Sequence, residues 1–194
     1  MSNKETILQT AIDLFNDMGT ARVTTNLIAK EAGISPGNLY YHFTDKAHII
    51  REIFERMTSD WDEVNKVFLE TGPHFEDLMK EFITANFKLL WEYRFYSREM
   101  VPLINADPIL KERHIPVINE HFNEQYRIIQ KAVEANVLNF PDPHYQANDA
   151  LTVCWIVANQ YLIHLEGMGK TVTKADFQKG VHLIMNSLLP YMVR

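Results

Sequence analysis

Apolar residues recur along this chain at three- and four-residue spacing and almost nowhere in strict alternation, a pattern that predicts helices and no strands. Ile7, Leu8, Ala11, Leu14 and Phe15 line one face of a first helix, which Gly19 ends. Thr25 opens a short second helix over 26–32, stopped at Gly33. Ser35 and Pro36 read as the cap and first position of a third, where the missing proline N–H costs nothing. It runs only to about Phe43. Thr44 and Asp45 cap a long fourth helix with the stripe Ile50, Ile53, Phe54, Met57, Trp61, Val64 and Phe68, broken at Gly72-Pro73.

Leu78, Phe82, Ala85, Leu89 and Leu90 mark a fifth helix through about Arg94, and a shorter piece covers 97–106. Asp107-Pro108 repeats the cap-plus-proline start and opens a long helix with Ile118, Phe122, Tyr126, Ile129 and Val133 on one face. Pro116 inside it is expected to kink it or to split off its first turns. Residues 139–144, NFPDPH, read as a loop, and two helices follow at about 145–167 and 174–192. The fold class is therefore all-α, with about nine helices. Residues 150–165 carry no charge but include Asn159, Gln160 and His164. The run falls short of the roughly 20 apolar residues of a membrane span. Such a helix is expected to be buried on several sides, with His164 inside a core or an interface.

Composition narrows the function without naming it. Hydrophobic residues make up 46% and charged residues 23%, ordinary for a globular chain and wrong for a collagenous or wholly disordered one. The single cysteine, Cys154, excludes an intrachain disulfide framework and an all-cysteine metal cage, and reads as a buried thiol. The N-terminus lacks the apolar core of a signal peptide, which makes a cytoplasmic protein with no membrane association the expectation. Net charge is −6, and residues 1–57 hold seven acids against six bases. Composition alone does not point to nucleic acid.

The pattern at residues 24–46, TTNLIAKEAGISPGNLYYHFTDK, does. It has the parts of a helix-turn-helix. Ile28, Ala32 and Leu39 can pack inward, Ala29 permits close approach of the two helices, Gly33 supplies the tight turn and Ile34 plugs the space between them. The helix after the turn presents Ser35, Gly37, Asn38, Tyr40, Tyr41 and His42 without an acid. Small residues allow a close fit, and hydroxyls, amide and imidazole reach phosphates or base edges. Lys46 and the N–H groups of the helix starts at Thr25 and Lys46 can clamp phosphates.

Residues 1–54 resemble the N-terminal domain of the tetracycline-repressor (TetR) family of bacterial transcription regulators. The matching pieces are ILQTAIDLF with Gly19, TTNLIAKEAGIS and GNLYYHFTDKAHII. The resemblance implies an all-helical homodimer that regulates promoters through double-stranded operator DNA and is released by a small-molecule effector. It implies a DNA-binding domain at 1–47 and an effector-binding and dimerising domain at 48–194. Thr25, Ser35, Tyr41, His42 and Lys46 match positions that commonly touch phosphates, and Gly37, Asn38 and Tyr40 match positions that face bases. Many relatives carry a basic arm ahead of the first helix; here only Lys4 stands there, so minor-groove arm contacts are not expected.

The remaining candidates come from aromatic and apolar clustering. Phe87, Trp91, Arg94, Phe95, Asn119, Phe122 and Tyr126 are the expected lining of an effector pocket, mostly apolar and suited to a flat or elongated molecule. Arg94 would favour an anionic one unless an acid of the chain pairs with it. Val157, Tyr161, Phe177, Val181, Ile184 and Leu188 are the expected two-fold interface, since one chain has only one core to offer two multi-sided helices. His114 and His121, seven apart, could share a helix face with Glu124, but hydrogen-bonded histidines are the commoner outcome, and no metal or cofactor is expected. No P-loop or HExxH motif occurs and no nucleophile meets a base, so an enzyme is not expected. The competing readings are a helical ligand-binding or enzymatic protein, or a protein–protein adaptor, that carries a helix-turn-helix.

Overall fold

The computed structural model describes residues 2–70 and 75–193, with the side chains of 67–70, 75–77 and 143–145 outside that description. The Gly72-Pro73 break and the Phe68 side chain therefore lie outside the described residues. Among the described residues the helices are α1 (Asn3–Met18), α2 (Thr25–Glu31), α3 (Pro36–His42), α4 (Lys46–Glu70), α5 (Phe75–Glu92), α6 (Arg94–Ala106), α7 (Pro108–Glu134), α8 (Pro143–Gly167) and α9 (Lys174–Leu188). Short 3-10 turns follow α1 and α9. The nearest approach to a strand is one antiparallel bridge, Leu138 with Met192, flanked by Asn139 N–H to the Tyr191 carbonyl (2.7 Å) and Val193 N–H to the Val137 carbonyl (2.9 Å).

Three features differ from the periodicity reading. α7 runs through Pro116 as one helix instead of losing its first turns. α5 stops two residues early, at Glu92, and α6 begins at Arg94, because Tyr93 leaves helical geometry (φ −102°, ψ 27°). At 190 the proline ends what reads as one helix to 192, leaving the 3-10 turn Leu189–Tyr191.

The chain forms two compact units, Met1–Asp60 with Glu92–His114, and Trp61–Trp91 with Ile115–Arg194. In the first, α1 to α3 bury Ile7, Ala11, Ile12, Phe15, Ile28, Ala29 and Leu39. Phe15 meets Phe95 of α6 with ring centroids 5.1 Å apart. The buried Asn16 amide donates to the Glu92 carbonyl (2.7 Å) and accepts from the Phe95 N–H (2.9 Å), which fixes the α5–α6 junction against α1. His114 is buried beside Phe54 and hydrogen-bonded through Nδ1 to the Tyr96 hydroxyl (2.8 Å).

In the second unit, Phe87, Ile128, Ile129, Leu151, Leu162, Val181, Ile184 and Leu188 belong to one apolar core. Cys154 lies against it, 3.6 Å from the Ser187 hydroxyl, and burial pushes its thiol up in pKa. α9 approaches closely at Gly180: a Cβ there would sit 2.7 Å from the Phe87 ring and 3.1 Å from Tyr161. Phe87 is only 1% exposed and belongs to the apolar core. Gly180→Ala should therefore cost about 1–3 kcal/mol through overpacking, against the roughly 1 kcal/mol that alanine normally gains over glycine in a helix. A lower urea midpoint with an unchanged slope is the expected readout.

Candidate nucleic-acid interface

Local chemistry sets the helix-turn-helix. Thr24 caps α2, its hydroxyl accepting from the Leu27 N–H (3.2 Å), and Ser35 caps α3 by accepting from the Asn38 N–H (3.2 Å). Between them Gly33 takes φ +69°, and the turn closes with Gly33 N–H to the Lys30 carbonyl (3.1 Å) and Ile34 N–H to the Ala29 carbonyl (3.0 Å). Inward, α3 buries Leu39; Ala32 and Ile34 are half-buried in the turn.

The other side of α3 faces solvent. Ser35, Gly37, Tyr40 and Tyr41 are exposed, and Asn38 and His42 are half-exposed. Tyr41 is 85% exposed, so packing does not account for it. Its ring meets the edge of His42 at 5.1 Å. The Tyr40 hydroxyl lies 2.9 Å from that of Thr25, which ties α3 to the start of α2. The nearest atom to a Cβ built on Gly37 is the Ser35 hydroxyl at 3.9 Å, so the glycine leaves open surface.

Two lysines are less available than their sequence positions suggest. Lys46 Nζ donates to the Thr20 carbonyl (2.7 Å) and the Val23 carbonyl (3.0 Å), clamping the start of α4 to the turn after α1. Lys4 pairs with Glu52 (2.5 Å) and lies over the Phe43 ring at 5.9 Å.

Residues 7–53 match the family model for bacterial regulatory proteins of the tetR family, and residues 56–194 match a model described as a bacterial transcriptional repressor. The chain belongs to the TetR family. It is 27% identical to the HTH-type transcriptional regulator UidR of Escherichia coli K12, over 94% of this chain and 91% of that one. It is 30% identical to a TetR-family transcriptional regulator of Marinobacter aquaeolei VT8 of known structure, with a TM-score of 0.87 over 100% of this chain and 92% of that one. The fatty acid degradation regulator FadR of Bacillus halodurans shares the fold at 16% identity, TM-score 0.72, over 97% of this chain and 95% of that one. The all-helical architecture and the sequence-specific DNA-binding regulator expected from the helix-turn-helix thus agree with the family. These relatives are transcriptional regulators.

In this TetR-family chain the seven residues proposed for an effector pocket fall in two places. Phe87, Trp91, Phe122 and Tyr126 lie in or against the core of the second unit. Phe95 is buried in the first unit, where Arg94 pairs with Asp17 (3.6 Å). An acid of the chain is therefore the partner of Arg94. Asn119 is exposed.

The interface candidates also divide. Val181, Ile184 and Leu188 are at most 6% exposed in the single chain and fill its own core. Val157, Tyr161 and Phe177 pack against that core half-buried. What α8 and α9 leave exposed is a different set, Val153, Ile156 and Leu183, with Leu189 just beyond. In the single chain this face of α8 is open, and His164 is exposed too. No helix among the described residues is long and apolar enough to cross a membrane.

His114 and His121 are held separately, and no metal-holding group of three His, Cys, Asp or Glu occurs among the described residues. His121 is buried in the second unit, stacked on Trp61 at 4.6 Å. Around it stand Asn65, Asn86, Gln125 and Trp155, which the sequence reading missed, and Glu124, which it had placed beside the histidine. The available signal was Asn65, an amide four residues after Trp61 on the apolar stripe of α4.

Proposed function

We propose that this regulator is a cytoplasmic, homodimeric repressor released from its operator by a small molecule. Residues 1–47 would recognise DNA, and 48–194 would bind the effector and dimerise. The observation that carries the reading is the solvent face of α3, an acid-free surface with a nearly fully exposed tyrosine. Tyr41, His42, Ser35 and Thr25 are suited to phosphates, with Lys46 adding charge while it holds the turn. Gly37, Asn38 and Tyr40 are suited to the bases of the major groove. The exposed apolar residues of α8 and α9 support dimerisation through that face. Effector control follows from population shift: the molecule must bind the DNA-incompetent state better than the competent one.

Selection from a random DNA pool, followed by binding assays on the winner, tests this reading. Tyr41→Ala should weaken binding to selected and bulk DNA by a similar factor, about five- to tenfold, because phosphate contacts position without specifying. Asn38→Ala should instead change the selected sequence. Gly37→Ala should leave the melting temperature at or above wild type, since the Cβ has room and alanine favours helix. It should nevertheless reduce operator binding, because the added methyl stands where DNA must come close. Wild-type binding no tighter to any selected site than to bulk DNA would contradict the proposal.

A further inference from the structure

The buried polar cluster of the second unit does not close its own hydrogen bonds. Trp155 Nε1–H can only donate, and it donates to Gln125 Oε1 at 2.6 Å. The Gln125 amide nitrogen therefore faces away from it, toward His121 Nε2 (3.0 Å) and Asn86 Oδ1 (3.4 Å). His121 Nε2 must accept, which puts the single proton of the neutral imidazole on Nδ1. Burial keeps the ring neutral, with its pKa pushed down to about 4.

That Nδ1–H faces another donor. Asn65 Nδ2 stands 3.2 Å from it and gives a hydrogen to Glu124 Oε2 at 2.7 Å. Asn65 is 2% exposed, and its Oδ1 is buried with no hydrogen-bond partner. Turning the amide over would supply His121 with an acceptor. It would also point the oxygen at the Glu124 carboxylate and leave a buried NH2 unpartnered. Either way the cluster is one group short, and unpaired buried polar atoms of this kind are uncommon in folded proteins and costly.

A hydroxyl has the chemistry that both groups lack, a hydrogen for Asn65 Oδ1 and a lone pair for His121 Nδ1–H. The surroundings are aromatic: Trp61 stacks on His121, the Trp155 ring lies 5.6 Å from His121, and Phe122 meets Trp155 at 5.2 Å. None of the clustered residues is cationic, and Glu124 would repel an anion. We infer that the effector is an uncharged, hydroxyl-bearing ring compound whose hydroxyl completes the Asn65–His121 pair. This rests on the effector-released reading above and adds to it a site and a ligand class.

The test pairs a ligand-independent measurement with a probe panel. A polar residue kept unsatisfied for a ligand weakens the free protein. Asn65→Leu, similar in volume and without the orphan oxygen, should therefore melt roughly 2–4 °C above its background when that background is Glu124→Leu, in which the Asn65–Glu124 bond is already gone. A double variant that melts at or below Glu124→Leu alone, or does not fold, overturns the inference, because the network is then complete in the free chain, with water as the missing group. The panel is phenol, catechol and resorcinol, each beside its methyl ether, with benzoate as the anion. The phenols should raise the wild-type melting temperature and release the selected DNA. The ethers and benzoate should not, and Asn65→Leu should lose the response. Ethers or benzoate acting as well as phenols, or Asn65→Leu responding like wild type, overturns the site and leaves effector control standing. Failure of every compound of all three kinds to release DNA overturns the inferred ligand class and leaves the effector reading, which names no ligand, to stand or fall on its own test.

Discussion

Asn16→Leu should cost the first unit about 2–4 kcal/mol. The Asn16 side chain is buried and serves two backbone groups at one junction, the Glu92 carbonyl at 2.7 Å and the Phe95 N–H at 2.9 Å. Those groups flank Tyr93, where α5 has stopped and α6 has only begun, so neither helix supplies them with a partner. A leucine fills the volume and pairs with neither. Each buried backbone group left without a partner costs about 1–3 kcal/mol. Asn16→Asp separates the two bonds: the carboxylate still accepts from Phe95 N–H but has no hydrogen for the Glu92 carbonyl. Urea unfolding should rank wild type above both variants. A loss below about 1 kcal/mol for Asn16→Leu would mean that these groups find other partners.

Acidification should destabilise the protein through His121. An unfolded histidine titrates near 6.5, whereas in the fold burial lowers His121 to about 4. Between those values the unfolded chain binds the proton and the folded one does not, so stability rises with pH across this window. The contribution is fully present above pH 6.5 and is lost as pH falls toward 4. At 1.36 kcal/mol for each pKa unit the window corresponds to about 3 kcal/mol. His114 acts in the same direction, because burial lowers its pKa as well. Urea midpoints at pH 7.5, 5.5 and 4.5 should fall steadily for wild type and more shallowly for His121→Gln, and the difference between the two curves isolates the histidine from the carboxylates. Parallel curves would show that His121 is not held neutral.

The starts of α3 and α4 and the acid-free face of α3 were legible in the chain because the forces that set them act within a few residues. Ser35 and Asp45 satisfy N–H groups three positions on, and Gly33 bends the chain where it stands. α3 is so short that its one buried residue, Leu39, leaves the remaining polar positions to solvent. The family resemblance rests on those same residues.

What lay beyond the sequence depends on partners far along it. Lys46 reads as a free cation until Thr20 and Val23, more than 20 residues earlier, present their carbonyls to it. Arg94 reads as open to a ligand or to an acid of the chain until α1 brings Asp17 to it. α8 and α9 are apolar on more than one side, and periodicity cannot say which side a neighbour will cover. Packing buried Val181, Ile184 and Leu188 and left Val153, Ile156 and Leu183 outside. His114 and His121 lie seven apart on α7, but His114 belongs to the first unit and His121 to the second, so one ring meets Tyr96 and the other an amide cluster. Asn65 occupies a position of α4 that a side chain of any polarity could take. Only the convergence of α4, α5, α7 and α8 shows that its oxygen has no partner, because hydrogen-bond satisfaction is a property of the assembled interior and of no single helix.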